Sequence, residues 1–149
     1  MKRFLTAMLA VLLALPAFAE DIEIQFEQLP ERSRNVVLKA FPDTKIKKVE
    51  MERRASLIQY EVKLAGDIKM QFNKEGYFTE CDCPKGSVPA MLIPEKIRTY
   101  LSKEFPGRTV KRIEHDNKLY ELLLDNGYEL SFNSSYRLID IDITQQDEE

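Results

Sequence analysis

The chain has 149 residues, of which 44% are hydrophobic and 32% are charged, and it contains two Cys, one His and no Trp. This length fits one globular domain or two very small ones, and the apolar fraction excludes a disordered or collagen-like chain. A formal net charge of -3 provides no basic surface for nucleic acid, and two cysteines cannot form a disulfide-dense scaffold.

The N-terminal segment has the pattern of a cleaved export signal. Two basic residues precede an almost unbroken apolar run at 4–15, and the segment 16–19 ends in a small-x-small cleavage pattern. The apolar run is too short for a permanent membrane span, and no Cys stands at the cleavage junction, where a lipid anchor needs one. We therefore predict a signal peptide at 1–19, cleavage after Ala19, and a soluble periplasmic or secreted protein that is neither a lipoprotein nor inserted in a membrane.

The remaining chain contains one sequence unit twice. Shifting the sequence by 64 residues aligns eight identities, and after a single gap a shift of 60 residues aligns six more. They include Pro30 with Pro94 and, further along, Phe72 with Phe132. Ordered identities of this kind indicate a tandem duplication.

The duplication sets the predicted domain organisation. One domain covers 20–144 and consists of two repeats, 26–83 and 91–143, which a loop at 84–89 connects. The last five residues, 145–149, are predicted to form a disordered acidic tail.

Each repeat is predicted to begin with a short helix. Pro30 and Pro94 suit the first helical turn, and a Phe-Pro pair ends each helix because the residue before Pro is pushed out of the helical region. Four strands with alternating apolar residues follow, and Asn126-Gly127 between two of them is a strong hairpin signal. The predicted class is α+β: two units of one helix and four antiparallel strands, with the helices packed on one face of a shared sheet of about eight strands.

The same alternation predicts that the second face of the sheet is polar. Apolar residues such as Tyr60 and Val62 alternate with charged and amide residues, so the face away from the helices meets water or a partner. Leu123 interrupts this face in the second repeat. The polar residues are Gln59, Glu61, Lys63, Lys69, Gln71, Glu121, Glu129 and Ser131.

The first hairpin is longer than its counterpart in the second repeat. Nine residues, 51–59, lie where the second repeat has five, 115–119, and the extension has a basic tip at Arg53 and Arg54. A segment present in one repeat only is not required by the fold, and Arg favours bidentate pairing with carboxylates and phosphates. The sequence favours a solvated loop with ordinary surface charges. The alternative hypothesis is that this tip contacts an acidic or phosphate-bearing partner.

Cys81-Asp82-Cys83 is the motif that most suggests chemistry. Two thiols with one residue between them can bind a soft metal ion, exchange disulfides or pair with each other. The repeat aligns them with Ile141 and Ile143, which favours packing, or a local structural disulfide, over a redox or metal site.

The single His115 lacks the partners that catalysis needs. Neither a nucleophile nor an orienting acid can be assigned to it from spacing, so a partly buried or surface position is favoured. The chain has no Gly-rich phosphate loop, no G-x-S-x-G sequence and no metal-ligand spacing. We predict a protein that is not an enzyme, with no catalytic residue, no metal site and no cofactor.

Several of these motifs resemble those of the PepSY-like proteins exported by Bacteroidetes bacteria. In the first repeat the matching segments are 26–30, Phe41-Pro42, 60–62 and 72–76, and in the second repeat they are Val88-Pro89, Ile93-Pro94, Phe105-Pro106 and 120–122. The resemblance implies a fold similar to that of the β-lactamase inhibitor protein, in which a curved sheet of two tandem units grips an enzyme. It implies a binding or inhibitory role without catalysis, but it assigns no contact residue and does not make β-lactamase the target.

The leading hypothesis is a non-catalytic periplasmic binding or inhibitor-like module that recognises an envelope or secreted protein or peptide. It requires a polar face with few internally paired charges. A small-ligand, metal or redox carrier instead requires Cys81 and Cys83 to be reachable by solvent, and an envelope structural accessory requires an unblocked edge strand. The predicted contact residues of the leading hypothesis are Arg53, Arg54, Gln59, Glu61, Lys63, Glu121 and Leu123.

Overall fold

A computed structural model of the chain describes residues 19–144. Residues 1–18 of the predicted signal peptide and the predicted tail at 145–149 lie outside the described residues. The described residues form two α-helices, two short 3-10 turns and nine strands. Neither helix within 19–144 has the length and hydrophobicity that spanning a bilayer requires.

All strands of the described chain belong to one antiparallel sheet, in which strands that follow one another in sequence are also neighbours in space. The helices are α1 (Glu31–Ala40) and α2 (Glu95–Glu104), and 3-10 turns at Phe26–Gln28 and Ala90–Leu92 precede them. The strands are β1 (Glu20–Glu23), β2 (Ile46–Arg54), β3 (Leu57–Leu64), β4 (Ile68–Asn73), β5 (Phe78–Asp82), β6 (Val110–His115), β7 (Leu119–Leu124), β8 (Tyr128–Asn133) and β9 (Leu138–Ile143).

Prolines define both ends of each helix. Pro30 and Pro94, with extended ψ angles of 139° and 140°, lie just before the helices, one position earlier than the predicted first turn. Pro has no N–H to donate, and a helix start does not need one. Each helix ends at the residue before its Phe-Pro pair, as predicted, and the Phe41 N–H donates to the Val37 carbonyl at 2.9 Å.

One buried cluster joins the two halves of the molecule. Phe72 and Phe132, which occupy equivalent positions of the repeats, are 0% exposed, and Val37 of α1 and Ile97 of α2 belong to the same cluster. The Tyr100 ring of α2 packs edge-on against Phe132, with 5.5 Å between ring centroids. The α+β class and a tandem repeat therefore agree with the structure. Burial of these apolar side chains provides the main free energy that stabilises it.

Irregularities of the sheet recur at equivalent positions. The pairing register shifts at Lys47 in β2 and at Lys111 in β6, and it shifts again at Thr79 in β5 and at Ile139 in β9. Each shift is a bulge, in which one extra residue bends the strand and increases its twist. Because both bulges are repeated, the two halves share backbone detail as well as sequence.

The prediction of about eight strands missed β1. Its sequence is Glu-Asp-Ile-Glu, and because acidic residues are depleted in strands, no alternating apolar run marks it. It pairs antiparallel with residues 50–53 of β2. Backbone hydrogen bonding to the edge of β2, rather than burial of side chains, defines this strand.

The two halves meet at the antiparallel pair β5–β6. Cys81 lies opposite Ile113, and the Cys83 N–H donates to the Lys111 carbonyl at 2.8 Å. This pair makes the sheet continuous from β1 to β9. The apolar residues of both halves can therefore line one core.

The turn between β4 and β5 packs closely against α1. Gly76 is buried, with a φ of +87°, and the Ser33 hydroxyl donates to its carbonyl at 3.0 Å. A Cβ added to Gly76 would lie 2.7 Å from the Cβ of Pro30. Gly66, between β3 and β4, has a similar φ of +80° but no atom within 4 Å of an added Cβ.

Gly76→Ala is therefore expected to destabilise the fold more than Gly66→Ala. Both substitutions place a Cβ in the left-handed region, at a cost of about 1–2 kcal/mol. Gly76→Ala adds an overpacking cost of ~1–3 kcal/mol, because its Cβ meets Pro30. Urea unfolding of both variants measures the two free energies. Equal costs would contradict the close contact between α1 and the turn.

Candidate functional site

The polar sheet face carries five of the seven predicted contact residues. On β3 and β7 they alternate with buried residues such as Val62 and Leu122, so they lie on the side of the sheet away from the core. These five residues are Gln59, Glu61, Lys63, Glu121 and Leu123. The two halves of this face differ in how their charges are paired.

In the first half, opposite charges neutralise one another. Lys63 Nζ lies 2.9 Å from Glu50 and 3.1 Å from Glu61, and Lys48 forms a further ion pair with Glu50. Hydrogen bonds from Lys48 and Lys63 lower the pKa of Glu50, and hydrogen bonds to Glu50 and Glu61 raise the pKa of Lys63. Gln71 Nε2 donates to the second oxygen of Glu61 at 3.1 Å. The predicted contacts Glu61 and Lys63 are thus already satisfied by neighbouring strands.

In the second half, carboxylates outnumber cations. A depression of about 190 Å³ on the polar face of β6–β9 is lined by five carboxylate residues and one arginine. Arg112 reaches Glu129 only at 3.9 Å, and the Thr144 hydroxyl donates to the same carboxylate at 2.9 Å. We call this surface the acidic groove; its residues are Arg112, Glu114, Glu121, Leu123, Glu129, Asp140 and Asp142.

The repeat explains why the acidic groove has fewer cations than the first half of the polar face. The equivalents of Lys63 and Lys69 in the second repeat are Leu123 and Glu129. One positive charge of the first half is thus replaced by a neutral residue and the other by a negative one. The acids at equivalent positions are retained. The second half therefore keeps the carboxylates of the first half but only one base, Arg112, which stands at the position of Lys48.

Carboxylates of the acidic groove lie directly opposite one another. Glu114 of β6 faces Glu121 of β7, and Glu129 of β8 faces Asp142 of β9. Like charges in such positions destabilise an antiparallel pair. Within residues 19–144, no ion pair forms at Glu114, Glu121, Asp140 or Asp142. Cations brought by a partner would relieve this repulsion.

Gln59 and Glu121 lie in different repeats but line one depression. It has a volume of about 250 Å³, crosses the central strands of the polar face and is also lined by Glu80 and Glu114. The structure thus brings together two predicted contact residues that are far apart in sequence.

The predicted basic tip is placed on the longest hairpin, with its two arginines on opposite faces. β2 and β3 have nine and eight residues, whereas β6 and β7 have six each. Arg54 pairs with Glu52 on the polar face, while Arg53 lies opposite Glu20 of β1 and Ile58 of β3 on the other face. The two guanidinium groups therefore do not form one cluster.

Leu123 is half-buried within the acidic groove. Its cross-strand neighbours are the charged residues Arg112 and Glu129, so it is not part of a larger apolar patch. The structure places it as a single apolar contact among charges.

Both thiols of the Cys-Asp-Cys motif are buried. Cys81 and Cys83 are 0% and 1% exposed, are free thiols, and have their sulfur atoms 3.8 Å apart. The contact with the Cys83 thiol and burial raise the pKa of Cys81. Solvent does not reach either sulfur atom, so neither thiol is accessible to a metal ion or to an external disulfide in this fold. The solvent access that the carrier hypothesis requires is absent at these two residues.

His115 belongs to an aromatic cluster. Its ring stacks on Tyr120, with 4.9 Å between centroids, and meets the Phe78 ring edge-on at 4.6 Å. Burial lowers the pKa of His115. This is the partly buried position that the sequence favours, and its neighbours are packing partners.

Sequence reasoning did not select Arg112, Glu114, Asp140 and Asp142 as contact residues, although all four line the acidic groove. The alternation of Asp with Ile in β9 was a usable signal for two of them. Among the described residues, no group of three or more His, Cys, Asp or Glu has an arrangement that could hold a metal ion.

The free energy of unfolding should fall as the pH drops below about 6.5, because the folded state lowers the pKa of His115 and the unfolded chain takes up the proton first. The contribution of neutral His115 is complete above the unfolded pKa and is lost as the pH falls through the folded pKa. His115→Phe preserves ring packing but cannot titrate. Urea unfolding at about pH 7.5 and 5.5 should therefore give a smaller difference for the variant. Equal differences would contradict the packing of a neutral imidazole.

The native protein should resist alkylation at both cysteines. Cys81 and Cys83 are buried, and only the thiolate reacts with iodoacetamide. We expect slow labelling in native buffer and rapid labelling of both thiols in urea, measured by mass spectrometry. Rapid labelling of the native chain would revive the carrier hypothesis.

Comparisons with known proteins agree with this fold. The chain matches the family described as beta-lactamase-inhibitor-like, PepSY-like, over residues 18–79 and again over 58–140. A comparison with curated proteins finds no match. The two family matches correspond to a repeated unit.

Three solved structures of Bacteroides proteins are similar to the chain. A Bacteroides thetaiotaomicron protein, described as calcium-regulated and periplasmic, is 37% identical with a TM-score of 0.80, and the alignment covers 82% of this chain and 96% of that one. A Bacteroides vulgatus protein of the DUF2874 family, described as periplasmic, is 33% identical with a TM-score of 0.80, over 83% and 97% of the two chains. Another Bacteroides vulgatus protein, described as periplasmic and of unknown function, is 32% identical with a TM-score of 0.78, over 83% and 99%. The resemblance predicted from the sequence is confirmed: this chain belongs to the PepSY-like family.

Proposed function

We propose that this chain is a non-catalytic periplasmic binding module that holds a protein or peptide through the acidic groove. The observation that carries the proposal is the contrast within the polar face. Lys63 neutralises Glu50 and Glu61 in the first half, whereas the carboxylates at Glu114 and Glu121 face each other without a cation. The partner is therefore a basic segment of a protein or peptide.

The physical role of the acidic groove is attraction and orientation. Uncompensated carboxylates attract a basic partner over about a Debye length, ~8 Å at physiological salt, which speeds association and makes it sensitive to salt. Each exposed ion pair contributes only ~0.2–1 kcal/mol, so charges alone do not give tight binding. Half-buried Leu123 provides an apolar contact at the centre of the groove.

The long first hairpin adds a contact of opposite sign. Arg53 and Arg54 extend beyond the part of the fold that the second repeat needs, and both are exposed. An acidic group of the partner would fit them. A partner with separate basic and acidic segments would meet the groove and the hairpin at the same time, which fixes its orientation.

The proposed location draws on two observations. The similar Bacteroides proteins are described as periplasmic, and residues 1–19 have the sequence pattern of a signal peptide. A binding role in that compartment includes inhibition of an enzyme and scaffolding within the envelope, and the acidic groove fits either.

Two other functions have less support. The carrier hypothesis needs accessible thiols, and Cys81 and Cys83 are buried. Calcium regulation appears in the description of one similar protein, and carboxylates are calcium ligands. The acids described in this chain are spread along four strands rather than gathered around one point. Calcium is therefore an additive to vary in the binding experiment.

Removing groove charges should weaken the complex. The chain from residue 20 onward, immobilised in an envelope extract of its own organism and cross-linked, is expected to capture a basic partner that mass spectrometry identifies. Glu121→Gln/Asp140→Asn should weaken binding of that partner by roughly two- to thirtyfold, the value of two exposed ion pairs. Higher salt should release the captured partner. Parallel samples contain calcium or a chelator, so that any effect of calcium on binding is measured.

The matched control is Glu75→Gln/Glu104→Gln. It removes the same charge at exposed residues outside the polar face and should leave binding unchanged. Arg53→Glu/Arg54→Glu tests the hairpin in the same way. Capture that survives the groove substitutions would refute the proposal. Equal loss with the groove and control variants would show a general charge effect and refute it as well.

A further inference from the structure

The outer edge of β9 is an open strand edge with apolar side chains. β9 is the last strand of the sheet, and among residues 19–144 only β8 pairs with it. Ile139, Ile141 and Ile143 are 57%, 45% and 54% exposed. Large apolar residues on an unpaired edge make that edge a template for another strand.

The hydrogen-bond pattern shows which backbone groups are free to pair. The Thr144 N–H donates to the Gly127 carbonyl at 2.9 Å, so this residue points its backbone towards β8. In an antiparallel pair, successive residues alternate between pointing towards the partner strand and pointing away from it. The N–H and carbonyl of Ile141 and Ile143 therefore point outward, away from β8. The Ile143 N–H donates to the Asp142 carboxylate at 2.9 Å, a bond that a hydrogen bond to an added strand would replace.

The first repeat contains the same edge in a closed form. Ile141 and Ile143 are equivalent to Cys81 of β5 and to Cys83, which follows that strand. There the outward groups are used: Cys81 pairs with Ile113 of β6, and the Cys83 N–H donates to β6 at 2.8 Å. Both cysteines are consequently buried. In the first repeat β6 covers this strand edge, whereas in the second repeat no strand within residues 19–144 covers it.

The closed joint shows which charges lie opposite the acids of this strand. Asp82 of β5 lies opposite the base Arg112 of β6, whereas Glu80, the equivalent of Asp140, lies opposite the acid Glu114. At the joint a base therefore faces one of the two acids. Asp142 is the equivalent of Asp82 on β9, and it shares the polar face with Asp140. The side chains of a strand added to β9 would alternate between the two faces of the sheet. On one face they would lie opposite Ile141 and Ile143, and on the polar face they would lie opposite Asp140 and Asp142.

A second copy of this chain fits the edge less well than a basic segment does. Antiparallel pairing of two β9 strands in one sheet sets Asp140 against Asp142 or against its own copy. Pairing of β9 with β1 of another copy sets the same acids against Asp21 and Glu23, which lie on the polar face opposite acids of β2. Directly opposed like charges disfavour both arrangements.

We propose that the β9 edge accepts an extended segment of a partner protein as an additional antiparallel strand, and that Lys or Arg alternates with apolar residues in this segment. The basic residues lie opposite Asp140 and Asp142, and the apolar residues lie opposite Ile141 and Ile143. The inference rests on the proposed function, since Asp140 and Asp142 belong to the acidic groove, and it specifies the partner's conformation. Backbone hydrogen bonds supply the affinity that exposed ion pairs lack.

A pair of N-methylated peptides tests strand addition directly. The probe is a synthetic peptide of alternating Lys and Val. Because the residues opposite Ile141 and Ile143 are its valines, methylation of the Val amides removes the hydrogen bonds to β9, whereas methylation of the Lys amides changes groups that face solvent. The unmodified and Lys-methylated peptides should bind, and the Val-methylated peptide, of the same charge and composition, should not.

Amide hydrogen exchange of the intact chain from residue 20 onward locates the binding. The unmodified peptide should slow exchange at the Ile141 amide about tenfold or more, because this amide points away from β8, the one strand that pairs with β9 among residues 19–144. The Ile143 amide should change less, because it already donates to the Asp142 carboxylate at 2.9 Å. The amides of Asp140 and Asp142 already point towards β8 and should change little. Asp140→Lys/Asp142→Lys should lose the Lys-Val peptide and bind a Glu-Val peptide.

Two results overturn the inference. Equal binding of both methylated peptides, without protection of Ile141, would show attraction to the acidic groove alone; the inference would fail and the proposed function would stand. No binding of the unmodified peptide would also refute strand addition. The proposed function is judged separately, by capture of a partner with the Glu121→Gln/Asp140→Asn variant.

Discussion

The pairing of β5 with β6 is the constraint on which the rest of the structure depends. A unit of one helix and four strands has little apolar surface to bury, and small units of this kind are marginally stable. The backbone hydrogen bond from Cys83 to Lys111 and the pairing of Cys81 with Ile113 join the two halves of the sheet. Cys81 and Ile113 are fully buried at this joint. The two repeats then share one hydrophobic core.

The same joint creates the polar face as one surface. Gln59 and Glu121, from different repeats, line one depression only because the strands between them are continuous. It also decides which edges stay open. β5 is equivalent to β9 in sequence position, yet β5 is covered by the next repeat, and no repeat follows β9 within the described chain. The strand that lies inside the sheet in the first repeat, β5, thus corresponds to the edge strand β9 in the second.

Duplication followed by divergence explains the charge contrast on that surface. The backbone of the two halves is repeated down to the bulges at Thr79 and Ile139. Side chains that do not face the core are free to change, because their substitution costs little stability. Leu123 stands where the first half has Lys63, so Glu114 and Glu121 lack the cation that neutralises their equivalents Glu50 and Glu61. Function in this fold can therefore differ between halves that share one architecture.

Local sequence signals were sufficient to predict the strands with alternating apolar and polar residues and the helices that prolines bound. The helix ends at Phe41 and Phe105, the hairpins and the duplication follow from short-range patterns, and the family follows from the same motifs. The strand β1 was missed because its acidic sequence has no strand signal and its partner lies some 30 residues away along the chain. Burial of the cysteines was predicted correctly, but for an incomplete reason: Ile141 and Ile143, their apolar equivalents, are exposed.

The candidate site depended more heavily on tertiary structure. By itself the sequence determined which residues share the polar face, because side chains of a strand alternate with a period of two. Only the pairing of strands decided that Lys63 is neutralised by Glu50, that Glu114 opposes Glu121, and that Arg53 and Arg54 lie on opposite faces. The physical reason is that ion pairing and repulsion act across strands, between residues that are distant in the chain. Register and strand order, which only the folded sheet defines, set those distances.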